Sequence, residues 1–469
     1  MALGVGACAG VARKATDGPA DVKLRIASHM LELAPGITYP TFAYDGQVPG
    51  PTLRLRRGRR TSFEIENHLL APELVHWHGL TIPSDVDGAE EEGTPPVPPF
   101  GTYRFEMTPN PAGTHWYHTH MMGAKALMFG PYSGLFGFVI VEDGSDAGAY
   151  DQEVLVALHH WGSHWISGQE LRPDDPKHGL EVGYRHGTMN GRLLGHGEPV
   201  RVRQGQRVLF RLLNASATEI TWTALAGHRM KMVAMDGQPV PTQAMIDALM
   251  LGPGERADVL VEMNNPGRWI LGAVKPQERA KGMGMIVEYA GAIGEAAWAP
   301  VKLAWDFRPF AHDGTLPPPD ERILLRIDRI AGGPGGYNQW SLNGRTWPDT
   351  ARLRLTRGNR YRLAFENRTT EGHPMHLHRH HFEVASYGGT PCAGLMKDTI
   401  NIRPNSMTEV DFIASNPGPT LLHCHQAKHQ DFGLMALMLY DGDVEPAFDP
   451  NAMHEAIEAA YCRSDRQQA

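Results

Sequence analysis

The chain of 469 residues is 42% hydrophobic and 20% charged, ordinary proportions for a globular protein of about two to four domains. A net charge of −8, with a single dense basic run, excludes nucleic acid as the main partner, because phosphate binding needs concentrated basic surface. No apolar run reaches the roughly eighteen residues that a membrane-spanning helix needs.

In chain order, the first feature is "GVGACAG" (Gly4 to Gly10), a small, apolar stretch around Cys8. It reads either as a disordered tail or as the end of a lipoprotein signal with Cys8 acylated, in which case Cys8 is the one membrane attachment. Residues 1–30 are therefore expected to be an N-terminal tail. From there on, short alternating runs such as "TSFEIEN", "FGFVIVE", "RVLFRLLN" and "ADVLVEM" lie between turns rich in glycine (52) and proline (36). That pattern predicts an all-β chain of sandwiches, with helix only around "NAMHEAIEAAYC" near the C-terminus. The basic run "LRLRRGRR" (Leu53 to Arg60) alternates and reads as the solvated face of a strand.

One segment recurs three times, ending at Asn67, Asn214 and Asn367, with Gly58, Gly205 and Gly358 each nine residues before the asparagine. Three β-sandwich domains follow, over residues 31–145, 146–300 and 301–469. Nine and eleven residues beyond Asn67 stand His76 and His78; the same steps beyond Asn367 reach His376 and His378. After Asn214 those places hold Thr223 and Leu225. The domain ends repeat the device: His118 and His120 lie five and seven residues after Gly113, and His423 and His425 five and seven after Gly418.

In a strand, residues i and i+2 share a face, so each His-x-His pair directs two imidazoles into one space. Four pairs from the first and third domains predict a cluster between those domains. Eight imidazoles suit about three ions of copper, zinc or iron. Cys424, between His423 and His425, faces the other way. With His373 and His429 it makes the two-histidine, one-cysteine set of a blue-copper electron-transfer centre. A Cys–His nucleophile pair would leave eight histidines idle, and structural zinc prefers several cysteines. The chain has four, Cys8, Cys392, Cys424 and Cys462; a Cys392–Cys462 bridge is open in an oxidising compartment.

The motifs "HWHG", "HTH", "HPMHLH" and "HCHQAKH" resemble those of the multicopper oxidases, specifically three-domain bacterial laccases and cuprous oxidases, over residues 35–440. The resemblance implies three cupredoxin-like Greek-key domains and four copper ions. It implies His373, Cys424 and His429 as type 1 ligands and His76 and His376 as type 2 ligands. His78, His118, His120, His378, His423 and His425 would hold the type 3 pair. It further implies one-electron oxidation of a small reductant, a phenol or Cu(I), coupled to reduction of O₂ to water in the periplasm or outside the cell. Asp87 in "PSDVDG" matches the family's acidic residue near the cluster and is the candidate proton donor; a turn residue before Gly88 is the bland alternative.

This chain departs from the family in three places. Leu434 stands where many relatives carry an axial methionine, Arg379 where glycine is usual, and Gln430 where an acid often follows the last histidine, with Asp431 next. His380 and His381 are expected beside the site and not as ligands. The 21 methionines form no dense insertion between residues 300 and 370, which favours a laccase-like oxidase over a cuprous oxidase. Some relatives keep this fold as copper-free structural proteins, but the complete ligand set speaks against that.

Overall fold

The computed structural model describes residues 18–145, 149–171, 178–312 and 314–447, together with 449, 455 and 459. The expected C-terminal helix lies almost wholly outside these residues, as do Cys8 and Cys462. Among the described residues no helix is long and apolar enough to cross a membrane.

The chain is all-β, and its strands fall into three similar double-sheet units. In the first, Ile37–Tyr44, Val22–Ala34, Thr61–Asn67 and Thr102–Met107 form one sheet, and Gly50–Arg56, Phe136–Glu142, Gly113–Thr119 and Val75–His76 the other. The expected tail ending at residue 30 is corrected here. Val22–Ala34 alternates buried and exposed residues and pairs in parallel with the Asn67 strand, Val22 opposite Phe63, so the first domain starts well before residue 31. The same parallel pairing recurs in the second domain, Val208 opposite Gln152, and in the third, Glu321 opposite Tyr361. In the basic run, Leu53 and Leu55 are buried while Arg54 and Arg56 are exposed, the solvated face expected.

The repeat has a physical basis. The turn glycines sit in left-handed backbone, at φ 73°, 80° and 91° for Gly58, Gly205 and Gly358, a conformation other residues adopt at a cost. Each repeated asparagine is buried and brackets the loop that follows its strand. Asn67 donates to Ala71 and Val97 carbonyls, Asn214 to Glu219 and Leu251, and Asn367 to Glu371 and Ile402. Each side-chain oxygen also accepts an N–H two residues on, from Leu69, Ser216 or Thr369. A side-chain amide thus satisfies backbone groups that no ladder reaches. In the first and third domains these loops lead into the histidine strands.

Candidate metal centre

The histidine pairs sit at equivalent points of two equivalent sheets. His76 lies directly opposite His118 in one, and His376 opposite His423 in the other. The two sheets bring these faces together, and all eight rings are at most 7% exposed. Where the second domain has Thr223, the strand packs in its own core.

The ring nitrogens divide into two classes. One nitrogen of most rings is committed to the protein: His76 Nδ1 donates to the Asp87 carbonyl and His376 Nδ1 to the Asp398 carbonyl, each at 2.9 Å. His118 Nδ1 donates to the Thr119 carbonyl and His423 Nδ1 to that of Cys424. His378 Nδ1 donates to Asp87 Oδ2 at 2.9 Å, and His78 Nε2 to Asp398 Oδ1 at 3.0 Å. The remaining nitrogens point inward. His78 Nδ1, His118 Nε2, His120 Nε2 and His425 Nε2 are buried without a hydrogen-bond partner. His378 Nε2 and His423 Nε2 stand 2.9 Å apart, and His76 Nε2 and His376 Nε2 3.4 Å apart, gaps that two metal–imidazole bonds of about 2 Å bridge.

Overlapping ligand groups result: His76, His78 and His376; His78, His118 and His425; His120, His378 and His423; and His76, Asp87 and His378. Each brings together histidines that the family resemblance expects as ligands. Burial, reinforced by neighbouring rings, lowers the proton affinity of His78, His118, His120, His376, His378 and His425 well below the ordinary value, and holds His423 at about 4. Neutral imidazoles with inward lone pairs are the state in which a metal binds. Orphaned buried nitrogens are costly unless an ion takes them, so the residues present fit a copper cluster.

Cys424 Sγ points away from this cluster, 3.7 Å from His373 Nδ1 and 3.5 Å from His429 Nδ1, with those two nitrogens 2.9 Å apart. His373, Cys424 and His429 are all fully buried. Leu434 is also fully buried, in the same apolar cluster as Cys424, while Met435 packs on the other side with Met121 and Leu421. Leu434 accepts the Cys424 N–H on its carbonyl, and the buried Met375 lies opposite Cys424 in the neighbouring strand. The far nitrogen of His373 is bonded to Thr369 Oγ1 at 2.8 Å. That of His429 faces Glu371 Oε2 at 3.1 Å, a charge contact without hydrogen-bond alignment.

Asp87 is fully buried against His378 and His76. Beside it is Glu92, which sequence reasoning missed; its Oε1 accepts the Leu421 N–H at 2.6 Å and lies 3.5 Å from His378 Nδ1. Burial, then the adjacent Asp87, pushes the Glu92 carboxyl well above its ordinary value. Asp398 and Arg256 were missed as well. Burial opposes ionisation of Asp398, but the Arg256 guanidinium, at 2.7 and 2.6 Å, overrides it and holds the carboxyl well below the usual range. His380 is buried and bonded to the Tyr440 hydroxyl, and His381 lies 3.6 Å from Asp398. Asp431, at the end of the helix that bears His429, accepts the Ala124 N–H.

Three family models described as "Multicopper oxidase" match residues 26–146, 160–291 and 317–443, the three sandwiches in turn. The chain is 30% identical to multicopper oxidase MmcO of Mycobacterium tuberculosis, over 85% of this chain and 83% of that one. It is 25% identical to Laccase-1 of Botryotinia fuckeliana, over 86% and 78%. Among solved structures, a multi-copper oxidase from Pseudomonas thermotolerans is 26% identical with a TM-score of 0.69, covering 90% of this chain and 100% of that one. The chain belongs to the multicopper oxidase family, and with it to the copper-binding oxidoreductases.

Proposed function

We propose that the protein is a laccase-like oxidase that binds four copper ions. It takes single electrons from phenolic or similar substrates beside His429 and delivers four of them, with four protons, to O₂, giving two molecules of water. The observation that carries this reading is the strand Thr420–Cys424 running into His425. Cys424 serves one ligand group while His423 and His425, one residue to either side, each serve another. Electron acceptor and oxygen site are covalent neighbours.

Copper, when bound, supplies one-electron redox change at each group. The chain's own part is to hold the imidazoles neutral and fixed, to keep water away, and to keep a proton near the cluster. Glu92, with its raised proton affinity, and Asp87 form a carboxyl pair against His378 suited to that last role. Asp87→Asn and Glu92→Gln are each expected to lower kcat about a hundredfold. An unchanged kcat in both would remove the pair from proton delivery.

The surroundings of His429 support an organic reductant. Trp165, Tyr337 and Phe432 form a half-exposed aromatic group, with Tyr337 stacked on Phe432 at 5.0 Å and Trp165 edge-on to Tyr337 at 4.9 Å. Phe432 directly follows the helix Ala427–Asp431 that bears His429. The nearby acids are matched by cations, Glu371 by Arg329 and Glu181 by Lys428. A second reading, a cuprous oxidase, draws on the contact of Glu371 with His429, which would favour a cationic reductant. Steady-state O₂ consumption by the copper-loaded protein separates them: fast turnover of a methoxyphenol without added copper supports the laccase. Turnover with Cu(I) alone, or with phenol only after copper is added, moves the assignment to the cuprous oxidase. We place the protein in the periplasm or outside the cell, a proposal motivated by the lipoprotein-like residues 4–10, which lie outside the described structure.

A further inference from the structure

The two domains that supply the histidines are built alike, and two aspartates beside the cluster make reciprocal contacts. Asp87, of the first domain, takes the first histidine of its own pair, His76, on its backbone carbonyl. Its carboxylate takes the second histidine of the other domain's pair, His378. Asp398, of the third domain, does the same in mirror: its carbonyl takes His376 and its carboxylate takes His78.

The symmetry breaks in two respects. His378 gives its Nδ1 to the carboxylate and turns Nε2 inward, whereas His78 gives its Nε2 and turns Nδ1 inward, unpartnered. The carboxylates also have different third neighbours. Asp87 faces Glu92. Asp398 is held by Arg256, a fully buried arginine of the second domain, which contributes no ligand to the cluster. Arg256 is itself fixed on other sides, donating to the carbonyls of Thr114 and Gly254, so its two-pronged grip on Asp398 has one geometry.

We propose that Arg256 is a positioning residue of the trinuclear centre. Through Asp398 it fixes the orientation of the His78 ring and commits that histidine to bind copper through Nδ1. The second domain is thereby part of the copper site although none of its side chains touches the metal. A guanidinium fork can lock both oxygens of a carboxylate, which an ammonium cannot do. Groups that orient a ligand from behind typically change metal affinity about ten- to a hundredfold when removed.

The proposal rests on the copper assignment above, and its test keeps the two apart. Copper content under competition with a chelator is measured for the wild type, Arg256→Met and Arg211→Met, with the visible thiolate–copper band and the type 2 paramagnetic signal recorded alongside. Arg211 is a second buried arginine of the second domain that also contacts the first, donating to Glu153, Asp258 and the Thr114 hydroxyl. The expected result is that Arg256→Met keeps the thiolate band but binds the trinuclear copper about ten- to a hundredfold more weakly, with a changed type 2 signal, while Arg211→Met retains wild-type copper. Equal copper loss in both variants, or none in Arg256→Met, overturns the positioning role. Should Arg256→Met fail to fold, Arg256→Lys decides: a weakened trinuclear site with an intact thiolate band supports the proposal, and wild-type affinity overturns it. A wild type lacking both copper signals would overturn the copper assignment itself.

Discussion

Leu434, fully buried and accepting the Cys424 N–H on its carbonyl, offers hydrocarbon where the family resemblance expects a weak methionine donor. A missing weak donor destabilises Cu(II) relative to Cu(I) and raises the reduction potential. Leu434→Met should lower that potential by about 60 mV or more, one tenfold step in the one-electron equilibrium, in a redox titration of the visible band. An unchanged potential would show that the axial position does not tune this site. Glu73 offers a different kind of residue-level test. Its buried carboxyl accepts from the Thr119 hydroxyl and the Leu74 N–H, yet burial outweighs both and raises it to about 7. The folded chain therefore holds a proton that the unfolded chain releases at lower pH, and stability falls as pH rises through the ordinary carboxylate range towards 7. Glu73→Gln should remove this loss, stabilising the protein above pH 7 by on the order of 3 kcal/mol relative to its effect at pH 4. A pH-independent difference in denaturant unfolding would refute the assignment.

At the scale of the element, the site was legible where chemistry repeats locally. A His-x-His pair on one strand face, at a fixed step from a bracketing asparagine, is visible in one dimension because the strand itself sets the geometry. Glu92, Asp398, Arg256 and Glu371 were not legible for the opposite reason: each is a single charged residue with no periodic partner, brought to the histidines by packing between segments far apart in sequence. The first strand was missed because its polar positions, such as Arg25, Ser28 and Glu32, obscure the alternation of Leu24, Ile26, Leu31 and Leu33. The bracketing asparagines make a paired prediction. Asn214→Ala and Asn367→Ala each strip a buried amide from several backbone partners and should cost about 1–3 kcal/mol. Only Asn367→Ala should also perturb the visible band, because its loop carries Thr369, Glu371 and His373. Equal spectra in the two variants would sever the bracket from the copper site. Arg379 shows an element held by an unusual route. It occupies a left-handed turn at φ 58°, where glycine is the low-cost residue. Its buried guanidinium donates to the carbonyls of Ile82, Asn416, Pro417 and Pro419, tying the loop before the strand Thr420–Cys424 to the first domain.

For the whole molecule, the histidine cluster is shared between the first and third domains while the second reaches the same place through Arg256. Copper that binds the folded chain and not the unfolded one should stabilise all three together, by about 2.7 kcal/mol at a hundredfold excess over Kd. Calorimetry of the copper-loaded and copper-stripped protein should show a lower Tm on removal; an identical Tm would mean that copper is not held between domains. The three-domain order was legible because the repeat is explicit in the sequence. The seam between domains was not, since nothing in one dimension says which faces meet.

The pairing of His76 with His376 joins residues 300 positions apart. A ribosome adding about 5 to 20 residues per second needs roughly 15 to 60 seconds to travel that distance. Throughout that interval the first domain has half of a copper site, complete in its own sheet, and nothing to close it. Until then His76, His78, His118 and His120 lack the third-domain histidines that complete each group. Closure of the cluster is thus deferred to the last part of the chain, and the timing is written into the distance between two strands.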